Sequence, residues 1–265
     1  FDYGRVQRQP NSAGMSFGTQ LLSMSIWLMY ITVGWHYSKQ VFGCIMVYAK
    51  FDKYKFTNFQ RGLLKASVFS VGFYNFFYFT QMTAAKAVLG EKVLFLNSIP
   101  LVDLGVPAIF SHLSLAAVIV TAVAVVFLVF VKNKKRPSIN MLIPWIAFYI
   151  WWIPVVKSMD FYIIAVPFFH SLQYLPFAHR VQAGRIAPGQ WYNLKMSAQI
   201  FAILIVGFLA FEFVPAALDA GLRSEWHQQK LFFMVAFAVF INIHHYFIDA
   251  VLWKFDQKEV SNSLF

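Results

Sequence analysis

The chain has 265 residues, 59% of them hydrophobic and 12% charged, with a mean hydropathy of +0.59. A soluble domain carries about twice that charged fraction, so separate water-soluble domains do not fit. The net charge of +11 sits in short segments between apolar runs, which points to membrane topology and anionic headgroups and not to nucleic acid.

Seven apolar runs reach the roughly 18–25 residues needed to cross a hydrocarbon core about 30 Å thick. In chain order they cover 20–49, 62–82, 112–131, 140–157, 160–181, 196–218 and 231–253. No two-residue alternation runs through them, which excludes a barrel, and unsolvated backbone then requires helices. The expected fold is therefore all-α: a polytopic transmembrane helical bundle forming one domain over 1–265. The chain starts at Phe1 and not at Met, so an upstream segment, missing or processed, is expected. The single cysteine, Cys44, lies in the first run and excludes a disulfide framework or a multi-cysteine metal site.

The first run carries "WHYSKQ", in which His36 and Gln40 share a helix face and Lys39 is a near neighbour. The loop 50–65 that follows holds Lys50, Lys53, Lys55, Arg61 and Lys65. The second run contains the aromatic patch "FSVGFYNFFYF". Residues 83–110 are ambiguous, because Lys86, Glu91, Lys92 and Asp103 accompany Pro100, Gly105 and Pro107. They read either as an eighth span or as a re-entrant or interfacial segment. Charge arbitrates. The basic segments at 50–65, 132–136 ("KNKKR") and 180–195, and the C-terminal Lys254 and Lys258, share one side only if 83–110 does not cross. The positive-inside rule then favours seven spans in the cell's inner (cytoplasmic) membrane, with the N-terminus outside and the C-terminus cytoplasmic.

The later runs supply more polar groups. "PFFHSLQYLPFAHR" in 160–181 puts His170 on a face with Gln173 and Tyr174. "INIHHYFIDAVLWK" in the last run puts His245 on a face with Asp249 and Asn242, with His244 turned about 100° away. Counted from the cytoplasmic ends of their spans, His36, His170, His244 and His245 fall within roughly 8 Å of one another in depth. A lone buried histidine is ordinarily a hydrogen-bonded structural group. Three helices bringing imidazoles to one level favour a shared metal site, and imidazole without thiolate suits Fe, Zn, Cu or Ni. His112 and His227 lie at the outer boundary and read as surface groups. The aromatic load, with 31 Phe, 12 Tyr and 8 Trp, is mainly packing and lipid face, with an apolar substrate cavity as the functional alternative. No phosphate loop, dinucleotide fingerprint, HExxH or serine nucleophile elbow occurs.

"FFHSLQY" and "IHHYFID" resemble the later histidine motifs of the bacteriorhodopsin-associated bacterial β-carotene 15,15′-dioxygenases. His170 and Ser171 match F-x-H-S-x-x-H, and Tyr174 stands at its second histidine. His244 and Asp249 match PHxxxxD, with isoleucine in place of the proline. "HYSKQ" at His36 is a looser match to HFGxxD, and the first motif of the family is absent. The resemblance implies a histidine-ligated non-haem Fe(II) oxygenase acting on a lipophilic polyene such as a carotenoid. His36, His170, His244 and His245 would be metal-ligand candidates, with Asp249 orienting a ligand and Gln40 and Tyr174 bonding ligands or bound oxygen. The other class that fits is a non-enzymatic subunit of a membrane complex, holding pigment, haem or a partner helix through the same histidines. Under either reading, His170→Ala and His244→Ala should disturb cofactor content or folding more than His227→Ala. Equal tolerance at all three positions, measured on purified variants, would sink the buried-site idea.

Overall fold

The computed structural model describes residues 15–89, 94–95, 99–132, 136–151, 194–222 and 231–252. These residues are almost entirely helical. α1 (Phe17–Phe51) and α2 (Asn58–Val88) are followed by a two-residue antiparallel ladder, β1 (Leu94–Phe95) with β2 (Ile99–Pro100). Then come α3 (Ala108–Val125, continued by a π-helical stretch, Val126–Val131) and α4 (Ile139–Trp151). α5 (Leu194–Phe208) runs through a second π stretch, Leu209–Phe213, into α6 (Val214–Gly221), and α7 (Phe232–Leu252) follows. Phe17–Phe51, Ala108–Val131 and Ser197–Gly221 are long and apolar enough to cross a membrane, and Ile139–Ile150 and Phe232–Phe247 are shorter apolar helices. α2, at 31 residues, has the length. Its Arg61, Lys65 and Lys86 and its many Tyr, Ser, Thr and Gln residues make it less apolar. The expected span 160–181 lies outside the described residues.

Local signals explain the helix boundaries. Ser16 caps α1 by accepting from Thr19 N. Thr57 and Gln60 form a reciprocal capping box at the start of α2, each side chain accepting from the other's backbone N–H. α2 continues six residues beyond the expected 82 because nothing before Gly90 breaks it. Pro100, Gly105 (φ 65°) and Pro107 then keep the chain out of helix until Ala108.

The helices alternate in direction. Ser38 Oγ donates to Val68 O (3.0 Å) and Tyr30 stacks on Phe79 (5.1 Å), so α1 and α2 are antiparallel. Gln60 Nε2 donates to Leu128 O, Ser70 Oγ meets Thr121 Oγ1 (3.1 Å) and Phe77 stacks on Phe110, so α2 and α3 are also antiparallel. The connection from α2 to α3 therefore begins and ends at the same end of the bundle. Its described part docks on α1: Val102 N donates to Ser23 Oγ (2.8 Å), and Trp27 Nε1 donates to Val102 O (2.9 Å). Both backbone groups of an extended residue are thereby satisfied inside an apolar core. Lys50, Lys53, Lys55 and Arg61 share the opposite end with Lys132 and Arg136, and Ser138 donates to the Asp52 carboxylate there.

Two cores flank α1. One joins Tyr37 and Ile45 to Leu64, Val68 and Val71 of α2, Val125 and Val129 of the α3 helix, and Trp145 and Phe148 of α4. Ser67 is its polar centre. Its Oγ accepts from Trp145 Nε1 (3.1 Å) and meets Tyr149 Oη at 2.6 Å. The other core packs Leu22, Ile26 and Trp27 against Ile99, Leu101 and Val235, Val239 and Tyr246 of α7. α7 therefore runs parallel to α1. Asp219 of α6 secures the start of α7 by accepting from Phe233 N (2.8 Å) and Met234 N (3.0 Å), two amides that have no partner within the helix.

α1 and α2 approach closely at Gly34 and Gly72. A Cβ on Gly72 would lie 3.0 Å from Ser38 Oγ and 3.1 Å from Gly34 O, whereas one on Gly62 meets nothing within 4 Å. Gly72→Ala should therefore cost about 1–3 kcal/mol through overpacking against backbone. Gly62→Ala should be neutral or stabilise by up to about 1 kcal/mol, as expected for replacing glycine within a helix. Unfolding midpoints of both variants in the same detergent check the contrast, and equal midpoints would contradict it.

Candidate functional site

His36 lies midway along α1 on the face that meets α7. It is 6% exposed. Its ring stacks on Tyr246 at 4.6 Å between centroids (28° between planes) and meets the edge of His245 at 5.4 Å (60°). Tyr246, itself buried, is fixed from its own helix: its hydroxyl donates to Asn242 Oδ1 (3.2 Å), and Asn242 Nδ2 donates to Ala238 O (2.7 Å). The chain Ala238–Asn242–Tyr246 follows one face at four-residue spacing, so α7 builds the support for His36 from local contacts. Tyr37 lies on the other flank, 5.8 Å from His36.

At the edge of this cluster, Lys39 holds its ammonium 4.3 Å from the Trp35 ring centre, and Trp35 faces Phe247 at 6.4 Å. The lysine is thus directed one turn back along α1, away from the basic end. Gln40 is half-buried one turn beyond His36.

The structure brings together two of the four expected ligands, His36 and His245. His244 is not brought to them: it stacks on Phe240 of its own helix (5.8 Å, 12°), and both His244 and His245 are exposed. The physical reason is rotational. Adjacent residues point about 100° apart, and the α1–α7 contact takes up the His245–Tyr246 side. His170 and Tyr174 lie outside the described residues, as does the side chain of Asp249, although Asp249 falls within α7. His112 is exposed at the start of α3.

The His36–His245 spacing and tilt are those of an edge-on ring contact. Among the described residues, no group of three or more His, Cys, Asp or Glu side chains comes together for an ion.

Tyr246, Asn242, Trp35 and Lys39 are the neighbours of His36 and His245 that residue-type spacing underweighted. A signal for Tyr246 existed, since it adjoins His245 and stands four residues after Asn242. A double-mutant cycle should find His36→Ala and Tyr246→Ala coupled by about 0.5–1.5 kcal/mol, the usual value of an aromatic stack. His36→Ala and His244→Ala should be additive in the same denaturation assay.

No protein-family model matches the chain, and neither the curated proteins nor the solved structures contain a match.

Proposed function

We propose that this is a seven-span inner-membrane protein in which His36 and His245 are two ligands of an intramembrane metal centre, most simply non-haem iron, serving an oxygenase of a lipophilic substrate. The observation that carries this reading is the meeting of His36 and His245 from different helices, 5.4 Å apart, in the middle of α1. Ionisable groups at that depth are expensive and are kept where they perform a function. The seven-span count rests on the seven apolar runs of the sequence; three helices long and apolar enough to cross, and two shorter apolar ones, are among the described residues. Placing the basic end in the cytoplasm puts the N-terminus outside and the C-terminus inside.

His170 and Asp249 are the residues proposed to complete the ligand set or orient it, with Gln40 and Tyr174 beside it. Iron, when bound, would supply the redox chemistry with O₂ that no side chain here offers. The chain's own part is to hold the imidazoles. Tyr246 covers one face of His36, Asn242 fixes the Tyr246 hydroxyl, and the apolar α1–α7 core keeps bulk water from the ring. A carotenoid-like polyene suits the apolar, aromatic surroundings.

A second reading is favoured by two specific features. His244 is exposed beside Phe240, and the Ser197–Gly221 helix is almost wholly uncovered. A non-enzymatic subunit would use such surfaces for a pigment, a haem or a partner helix.

Metal analysis of the detergent-purified chain, prepared metal-replete, separates the two. Near-stoichiometric iron is expected in the wild type. His36→Ala and His245→Ala should each lower it at least about 10-fold, and His244→Ala, which the sequence alone placed among the ligands, should retain it because that ring stacks on Phe240 instead. No metal in the wild type, or equal loss in all three variants, overturns the centre proposed here and favours the subunit reading.

A further inference from the structure

The outer face of α2 carries a pattern that the histidine centre does not use. Arg61 and Lys65 are exposed and stand one turn apart, so they form a short cationic ridge at the basic end. Beside the ridge, Gly62 and Ala66 are exposed, and the space where a Gly62 side chain would sit is open. Towards the middle of the helix the same face becomes aromatic. Phe69 lies under the Lys65 ammonium (5.8 Å to the ring centre), and Phe73 is 58% exposed.

Helix stability does not explain the charges. Arg61 lies in the first turn of α2, which holds no acidic residue, and a cation there opposes the helix dipole. Nor does packing explain them, since both side chains are exposed and face away from the buried Leu64 and Val68. Depth fits a headgroup. Lys65 lies about 10 Å along the helix from Asn58, within the interfacial zone that borders the hydrocarbon core.

We propose that this face of α2 is a binding site for one anionic diacyl phospholipid. Its phosphate would sit against Arg61 and Lys65, with the headgroup over Gly62, and an acyl chain would lie along Phe69 and Phe73. The charge complementarity commits the occupant: a cationic ridge directly above an exposed apolar strip matches an anionic amphiphile, whereas a zwitterionic lipid brings its own cation beside the phosphate and leaves the net charge of the ridge unanswered. The proposal does not depend on the metal centre. It rests only on the helices lying in a bilayer.

The test uses the full chain in neutral detergent with phosphatidylglycerol or phosphatidylcholine added in mixed micelles. Phosphatidylglycerol should raise the unfolding midpoint by about 3–5 °C more than phosphatidylcholine, as a ligand selective for the folded state does. The Arg61→Gln/Lys65→Gln variant should lose that difference. Lys53→Gln/Lys55→Gln, which alters the neighbouring loop, should keep it. Should the first variant fold poorly, Gly62→Phe keeps both charges and should abolish the difference by covering the open surface beside them. Equal effects of the two lipids on the wild type would overturn the site, as would an undiminished difference in both Arg61→Gln/Lys65→Gln and Gly62→Phe. Stabilisation by glycerol 3-phosphate alone, matching that of phosphatidylglycerol, would overturn the lipid assignment in favour of a free phosphate.

Discussion

The close approach of α1 and α2 at Gly34 and Gly72 is the contact on which the rest of the bundle depends. In lipid, burial of apolar surface does little to drive helices together, so tight backbone approach and interhelical hydrogen bonds take over. Both are present here. The two glycines let the backbones touch, and Ser38 on the next turn donates to its own Gly34 O (2.8 Å) and across to Val68 O. With α2 held in this way, α3 is set by Ser70 and Phe77, and α4 by Ser67. The remaining face of α1 is left for α7, and His36 is on that face.

The polar groups elsewhere obey one accounting rule: a buried donor or acceptor needs a partner. Ser67 serves both Trp145 and Tyr149, Asp219 serves two amides of α7, and Val102 has both backbone groups taken by side chains of α1. Among the described residues the exception is Asn75, whose Oδ1 is buried without a hydrogen-bond partner while its Nδ2 donates to Val71 O. The His36 cluster belongs to a different category. Its rings are positioned by stacking on one another as well as by hydrogen bonds.

Much of this architecture was legible in the sequence. The apolar runs located α1, α3, α5 and α7 to within a few residues, because hydropathy over a bilayer's thickness is a strong signal. Depth counting also paired the level of His36 with that of the last helix. Which of the two adjacent histidines meets His36 was not legible, because it depends on how α7 is rotated against α1, and a four-residue pattern fixes faces only within a helix. The docking of Val102 on Ser23 and Trp27 was hidden for a similar reason: it joins residues nearly eighty positions apart through backbone atoms, which carry no residue signature. The boundary of α2 could have been sharpened, since Thr57 and Gln60 spell a capping box three residues apart.

The π-helical stretches at Val126–Val131 and Leu209–Phe213 have a bearing on how these helices tolerate a change of length. A turn closed by i→i+5 bonds holds one more residue than an α turn. Such a turn absorbs a single-residue insertion without unwinding the helix on either side. In the α3 helix it separates Thr121, which meets Ser70 of α2, from Val129, which packs in the core shared with α4. A one-residue change of length taken up there would leave both contacts in place and the loops between helices unaltered.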